Sequence, residues 1–198
     1  METLFLIFFF IIGAIFGSFY HVVATRLAKG ESIIYPGSHC TKCNHKLKWY
    51  ENIPLVSYLM LRGKCSNCKT SITPSYFIVE LVTAMLFAVC YHCFGLSFKL
   101  VISLIFISSL IIVIVSDIEY MIILDEVLML ASLVIVVLDI IFLGMNKAAL
   151  QIYGGVGAFV SMYTLKILGD KMFKKESLGG GDIKMMFLVG LVLNFPLS

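Results

Sequence analysis

Five long apolar stretches limit what this chain can fold into. Leu4 to Tyr20 is the first, broken only by Gly13, Gly17 and Ser18. Tyr76 to Phe94, Leu100 to Ser116, Val127 to Leu143 and Ala148 to Leu168 follow. Each is near the ~20 residues a helix needs to cross a bilayer core. In hydrocarbon the backbone must satisfy its own hydrogen bonds, which a helix does within one segment. With 60% hydrophobic and only 14% charged residues, the composition is that of a membrane protein, not of a large soluble core. Met185 to Leu197 is apolar but too short to span comfortably; it is either a partial helix or the place where a longer chain is cut. The expectation is an all-α polytopic membrane protein of about six transmembrane segments. The first segment has no basic region before it and no small-residue cleavage site after it, so it reads as a retained span. No low-complexity tract or internal repeat is visible.

Orientation follows from lysine and arginine, which concentrate on the cytoplasmic side. Arg26, Lys29, Lys42, Lys46, Lys48, Arg62, Lys64 and Lys69 lie between the first two spans. Lys166, Lys171, Lys174, Lys175 and Lys184 cluster from the end of the fifth span onward. The loops between hold Lys99, none, and Lys147. Five spans put the two basic regions on one side, the cytoplasm, and the N-terminus outside. The loop after span three, which begins at Asp117, falls on that cytoplasmic side too.

Cys40-x-x-Cys43 and Cys65-x-x-Cys68, separated by 21 residues, have the spacing of a tetrahedral structural zinc site. The side is reducing, so disulfides are disfavoured. The region is small, and a metal would help it fold. The alternatives are four reduced thiols held by packing, or a redox pair. Cys90 and Cys93 read as two thiols on an apolar helix, or as an outer-face disulfide. His39 adjoins Cys40 and is at most a partner to a thiolate.

The carboxylates carry the candidate chemistry. Asp182, in Leu178-Gly179-Gly180-Gly181-Asp182-Ile183-Lys184, stands at the edge of an apolar segment, where a charge is costly and functional by default. The glycines let a substrate backbone approach closely. Asp117 closes span three on the same side. Two aspartates sharing a site split one proton; one activates water, and the other bonds the peptide carbonyl and protonates the leaving amine. Asp182 also reads as a helix N-cap, and Asp117 as an interfacial charge. Glu119, Asp125 and Glu126 read as the solvated face of a loop and an acidic first turn. Glu80, inside span two, needs a polar partner. Asp139 reads as a charge at the outer interface. Lys184 either offsets Asp182 or snorkels. Gly13-x-x-x-Gly17 and Gly154-Gly155-x-Gly157 read as close helix-packing faces. Nothing points to a nucleic-acid partner, and oligomeric state is not legible.

In this order the pieces resemble the type IV prepilin peptidases. Gly17-Ser18-Phe19-Tyr20-His21 with Arg26-Leu27 resembles the family's opening motif, with His21 where members usually carry Asn. Trp49-Tyr50-Glu51-Asn52-Ile53-Pro54, Leu61-Arg62-Gly63-Lys64-Cys65 and Ile72-Thr73-Pro74-Ser75-Tyr76 with Glu80-Leu81 are similar to the cysteine domain and its exit. Asp117-Ile118-Glu119 with Asp125 resembles the first aspartate motif, Leu124 replacing the usual proline. Gly179-Gly180-Gly181-Asp182-Ile183-Lys184 matches Gly-x-Gly-Asp-x-Lys. The resemblance implies an aspartic peptidase with Asp117 and Asp182 as its dyad. Gly179, Gly180, Gly181, Lys184 and Glu80 would contact substrate, and Cys40, Cys43, Cys65 and Cys68 would hold zinc. The implied substrate is a prepilin or pseudopilin precursor with a short basic leader before an apolar helix in the lipid bilayer. Many members also methylate the new N-terminus with S-adenosylmethionine, though no glycine-rich nucleotide fingerprint occurs here. The implied division is a first transmembrane helix at 1–24, a cytoplasmic four-cysteine domain at 25–75 and a transmembrane catalytic domain at 76–198. A non-catalytic zinc-stabilised assembly factor and a membrane thiol oxidoreductase are the competing classes.

Overall fold

The computed structural model describes residues 1–175 and 178–193. Its helices are α1 (Glu2–Ala28), α2 (Val56–Met60), α3 (Ser75–Phe94), α4 (Phe98–Tyr120), α5 (Asp125–Leu143), α6 (Met145–Phe173) and α7 (Gly180–Leu193), with a single 3-10 turn at Trp49–Asn52. Among the described residues five helices, α1 and α3 to α6, are long and apolar enough to cross a membrane. The sixth expected span corresponds to α7, of which 14 residues are described. The end of that apolar stretch, toward Leu197, lies outside the described residues.

Helix α1 outlasts its apolar stretch. It ends where Ala-Lys-Gly-Glu supplies a left-handed stop. Gly30 takes φ +69, its N–H donates to Leu27 O at 3.0 Å, and Glu31 N–H donates to Arg26 O at 2.8 Å. That pair of bonds satisfies carbonyls the helix would otherwise orphan.

The chain divides into two compact units. One contains Met1–Leu100 and Ile114–Ile122; the other contains Val101–Val113 and the described residues from Ile123 onward. In the first, α1 and α3 approach through small residues. A methyl group on Gly13 would lie 2.7 Å from the Ala84 Cα, and one on Gly17 would lie 2.8 Å from the Glu80 Cα. Larger residues at those positions would force the backbones apart, so the expected packing role of Gly13 and Gly17 holds. In the second unit α7 lies on α6 in the same manner. Gly155 faces Phe187, and Gly190 faces Gly154 and Ala158, whereas nothing stands within 4 Å of a methyl on Gly157.

Between α1 and α3 the cysteine region repeats one small backbone unit. Cys40 N–H donates to His45 O and Cys65 N–H donates to Thr70 O, both at 2.9 Å. Asn44 and Lys69, the residues after the second cysteine of each pair, both take left-handed φ, at +54° and +59°. The antiparallel bridges His39–Lys46 and Lys64–Ser71 close the two turns. The sequence shows no repeat here because only the cysteines are shared.

Candidate active site and metal centre

The four cysteines converge. Cys40, Cys43, Cys65 and Cys68 each offer a sulfur, and the four sulfurs lie within 4.8 Å of one another. Cys40 Sγ is 3.8 Å from Cys68 Sγ, and Cys43 Sγ is 3.9 Å from Cys65 Sγ. A tetrahedral zinc with Zn–S bonds of about 2.3 Å puts its sulfurs roughly 3.8 Å apart, so the residues fit a metal ion. The Thr70 hydroxyl and backbone N–H beside Cys68 pull its thiol down to about 6. The backbone N–H groups of Cys43 and Lys42 lower Cys40 as well. Thiolate is the form that binds metal. Glu51 braces the first turn: its carboxylate accepts from Lys48 N–H at 2.8 Å and meets His45 at 3.4 Å. The Lys48 N–H, with Ser66 and His45, keeps that carboxyl below its usual range. Cys90 is buried and Cys93 exposed on α3, and both are free thiols.

Asp117 sits one turn before the end of α4, with its side chain exposed. Its carbonyl accepts Met121 N–H at 2.8 Å, and Met121 adopts the left-handed conformation that ends the helix. Two residues on, Glu119 fastens this helix end within the first unit. Its Oε1 accepts from Ser75 Oγ at 2.8 Å and lies 3.0 Å from His21 Nε2. His21 is 2% exposed and stacks on Tyr76 with ring centroids 3.8 Å apart. Glu119, exposed in the last turn of α4, thus links α1, the start of α3 and the end of α4. Lys29 adds a contact to the same end, its Nζ lying 5.6 Å from the Tyr120 ring centroid. Glu80 accepts Leu55 N–H at 2.7 Å, the polar partner its position demanded. A cleft of about 1650 Å³ opens beside these groups, lined by His21, Arg26, Glu80, Tyr76 and Glu119 among others.

In the second unit Asp182 is half-buried in the first turn of α7, two residues after the helix begins, so it lies inside the helix and not at its cap. The three glycines before it differ. A methyl on Gly179 would stand 3.2 Å from Asp182 Oδ2, and one on Gly181 would stand 2.6 Å from Ile123 Cβ, while Gly180 has open space. Lys184 pairs with Asp125, which with Glu126 forms the acidic first turn of α5 as expected, and both side chains of the pair stay about half exposed. Asp139, near the end of α5, is 1% exposed, and Gln151 on α6 is 2% exposed. The two candidate aspartates fall in different units, Asp117 in the first and Asp182 in the second. Glu119 and Asp125, both part of the first aspartate motif in sequence, have partners that no local pattern announced: His21 and Ser75 for the one, Lys184 for the other.

Two family models cover most of the chain. Residues 11–94 match the bacterial peptidase A24 N-terminal domain, and residues 104–198 match the type IV leader peptidase family. Similar proteins include the prepilin leader peptidase/N-methyltransferase of Bacillus subtilis, 38% identical over 191 residues, covering 93% of this chain and 72% of that protein. The protein of that name in Vibrio cholerae is 34% identical, covering 98% of this chain and 79% of the relative. In Myxococcus xanthus it is 35% identical, with 97% of this chain aligned but only 57% of the relative. No solved structure matches the chain.

Proposed function

This chain belongs to the type IV leader peptidase family, and from that premise we propose that it is a membrane aspartic endopeptidase removing the leader of prepilin or pseudopilin precursors. The observation that carries the reading is the glycine-flanked Asp182: Gly181 has no room for a side chain beside Ile123, and a methyl on Gly179 would stand 3.2 Å from the Asp182 carboxylate. We assign Asp117 and Asp182 as the dyad. One carboxylate, ionised, takes a proton from water; the other, protonated, bonds the scissile carbonyl and then passes its proton to the leaving amine. Gly179, Gly180 and Gly181 give the substrate backbone its approach. Lys184 and Glu80 complete the contacting set, each held in place by its own partner, Asp125 and Leu55. The cysteine cluster is assigned to structural zinc. Four thiolates close the metal's coordination shell and leave no position for catalysis.

The lysine and arginine distribution supports a peptidase site at the cytoplasmic face of the cell membrane, with α1 entering from outside. Methylation of the freed amine is the second activity named in the relatives. A sulfonium donor such as S-adenosylmethionine needs carboxylates and aromatic faces for its cation, and the cleft of the first unit offers Glu80, Glu119 and Tyr76. We assign to this cleft the group that would supply the methyl when bound.

Purified protein incubated with a prepilin in detergent is expected to release the leader. Asp117→Ala and Asp182→Ala should each lower the rate by roughly 10²-fold or more, the scale on which positioned acids and bases act. Full cleavage by either variant removes it from the dyad. Mass spectrometry of the new N-terminus reads methylation in the same reaction.

A further inference from the structure

We propose that the segment from Trp49 to Met60 is an interfacial anchor, its apolar side resting at the boundary between lipid headgroups and acyl chains on the face of the bilayer that adjoins the cysteine region. The proposal rests on the reading of α1 and α3 as membrane spans.

Depth is the first argument. Leu55 N–H is bonded to Glu80, and the Tyr58 ring stacks on Phe77 with centroids 5.2 Å apart. Phe77 and Glu80 lie inside α3, two and five residues from its start at Ser75. At 1.5 Å per residue those positions are about 3 and 7.5 Å below the helix end. The 20 residues of α3 match a hydrocarbon core of about 30 Å, which leaves little slack for the helix to ride above it. A segment fastened at that level stands at the boundary between headgroups and acyl chains. Leu55 is held at φ +62, a conformation an L side chain rarely takes, in the turn that delivers α2 to this place.

The exposed side has the chemistry of that zone. Val56, Leu59 and Met60 are spaced to share one side of α2, and they are 48%, 63% and 78% exposed. Tyr58, on the opposite side, is the residue turned to α3. Trp49 and Tyr50 are exposed immediately before, and such amphipathic rings favour the membrane–water boundary. Lys46, Lys48, Arg62 and Lys64 flank the segment, all exposed. Glu51 is the sole acid within it and is buried against Lys48 N–H. An apolar side rimmed by cations complements anionic headgroups, and a water-facing surface has no use for it.

Trp49 is the only tryptophan in the chain, so single-tryptophan reporters are simple to make. The full protein carrying Trp49→Phe with Leu59→Trp, and separately with Met60→Trp, is placed in nanodiscs of phosphatidylcholine and phosphatidylglycerol. Lipids brominated near the glycerol should remove most of the emission, and aqueous iodide should remove little. Native Trp49 should respond in the same direction. Strong iodide quenching of both reporters with no loss to brominated lipid overturns the proposal, and identifies the side as open to water or to a protein absent from the discs. Val89→Trp in the Trp49→Phe background is the control, since Val89 is exposed on α3. If brominated lipid quenches Val89→Trp but neither α2 reporter, the anchor fails and the spans stand; if it quenches none, the membrane reading fails with it.

Discussion

At the scale of single residues, the run of three glycines divides by the space around each. A methyl on Gly181 would drive into the Ile123 side chain, whereas one on Gly180 would meet nothing. Gly181→Ala is thus an overpacking change, expected to cost about 1–3 kcal/mol and to slow cleavage by displacing the first turn of α7. Gly180→Ala should leave thermal unfolding near wild type, and Ile123→Ala should restore the stability of the Gly181→Ala variant. Leader cleavage and thermal unfolding in detergent measure both. Equal losses from the two alanine variants would reject the packing account. The sequence showed the Gly-x-Gly-Asp pattern but not which glycine needs its missing side chain, because that depends on Ile123, which comes from the far side of two helices. The Lys184–Asp125 pair is a weaker matter. Its side chains are about half exposed, so solvent screens it, and Lys184→Met should cost no more than about 1 kcal/mol in unfolding free energy.

At the scale of elements, the helices were legible and most of their fastenings were not. Each apolar stretch became a helix, since the backbone has no other means of satisfying itself in hydrocarbon. The close approach of α1 to α3 is the exception, because the spacing of Gly13 and Gly17 alone announced it. The link through Glu119 was not legible because its partners His21 and Ser75 lie 98 and 44 positions away in the chain, beyond any local pattern. Those bonds hold the end of α4, two residues from Asp117. His21→Leu removes one partner of Glu119, which keeps Ser75, and should cost about 1 kcal/mol, the net worth of a single hydrogen bond. Its kinetic signature should be a fall in kcat with little change in KM, and His21→Gln, which keeps a donor, should recover part of it. A His21→Leu enzyme with unchanged kcat would separate this link from catalysis.

At the scale of the whole molecule, the cysteine region and the helices should lose their structure under different conditions. The sulfur cluster has no apolar core around it comparable to the membrane helices, and Cys68 is largely thiolate near neutral pH because Thr70 holds its thiol at about 6 against an ordinary 9.0. A thiol lowered on folding adds stability that is complete above its unfolded value of 9.0. That stability declines as the solution is acidified and is gone below about 6. Metal acts in the same direction, because every thiolate must shed its proton to bind. Acidification from about pH 8 to about pH 5, or a strong chelator at the higher pH, should therefore release the metal and unfold residues 31–74 while the spans remain helical. Chromogenic titration of released zinc, run beside far-ultraviolet circular dichroism, follows both events in one sample. A bound metal whose release ignores pH would contradict thiolate ligation, and loss of most of the helical signal together with the metal would show that the spans depend on the cysteine region for their own fold.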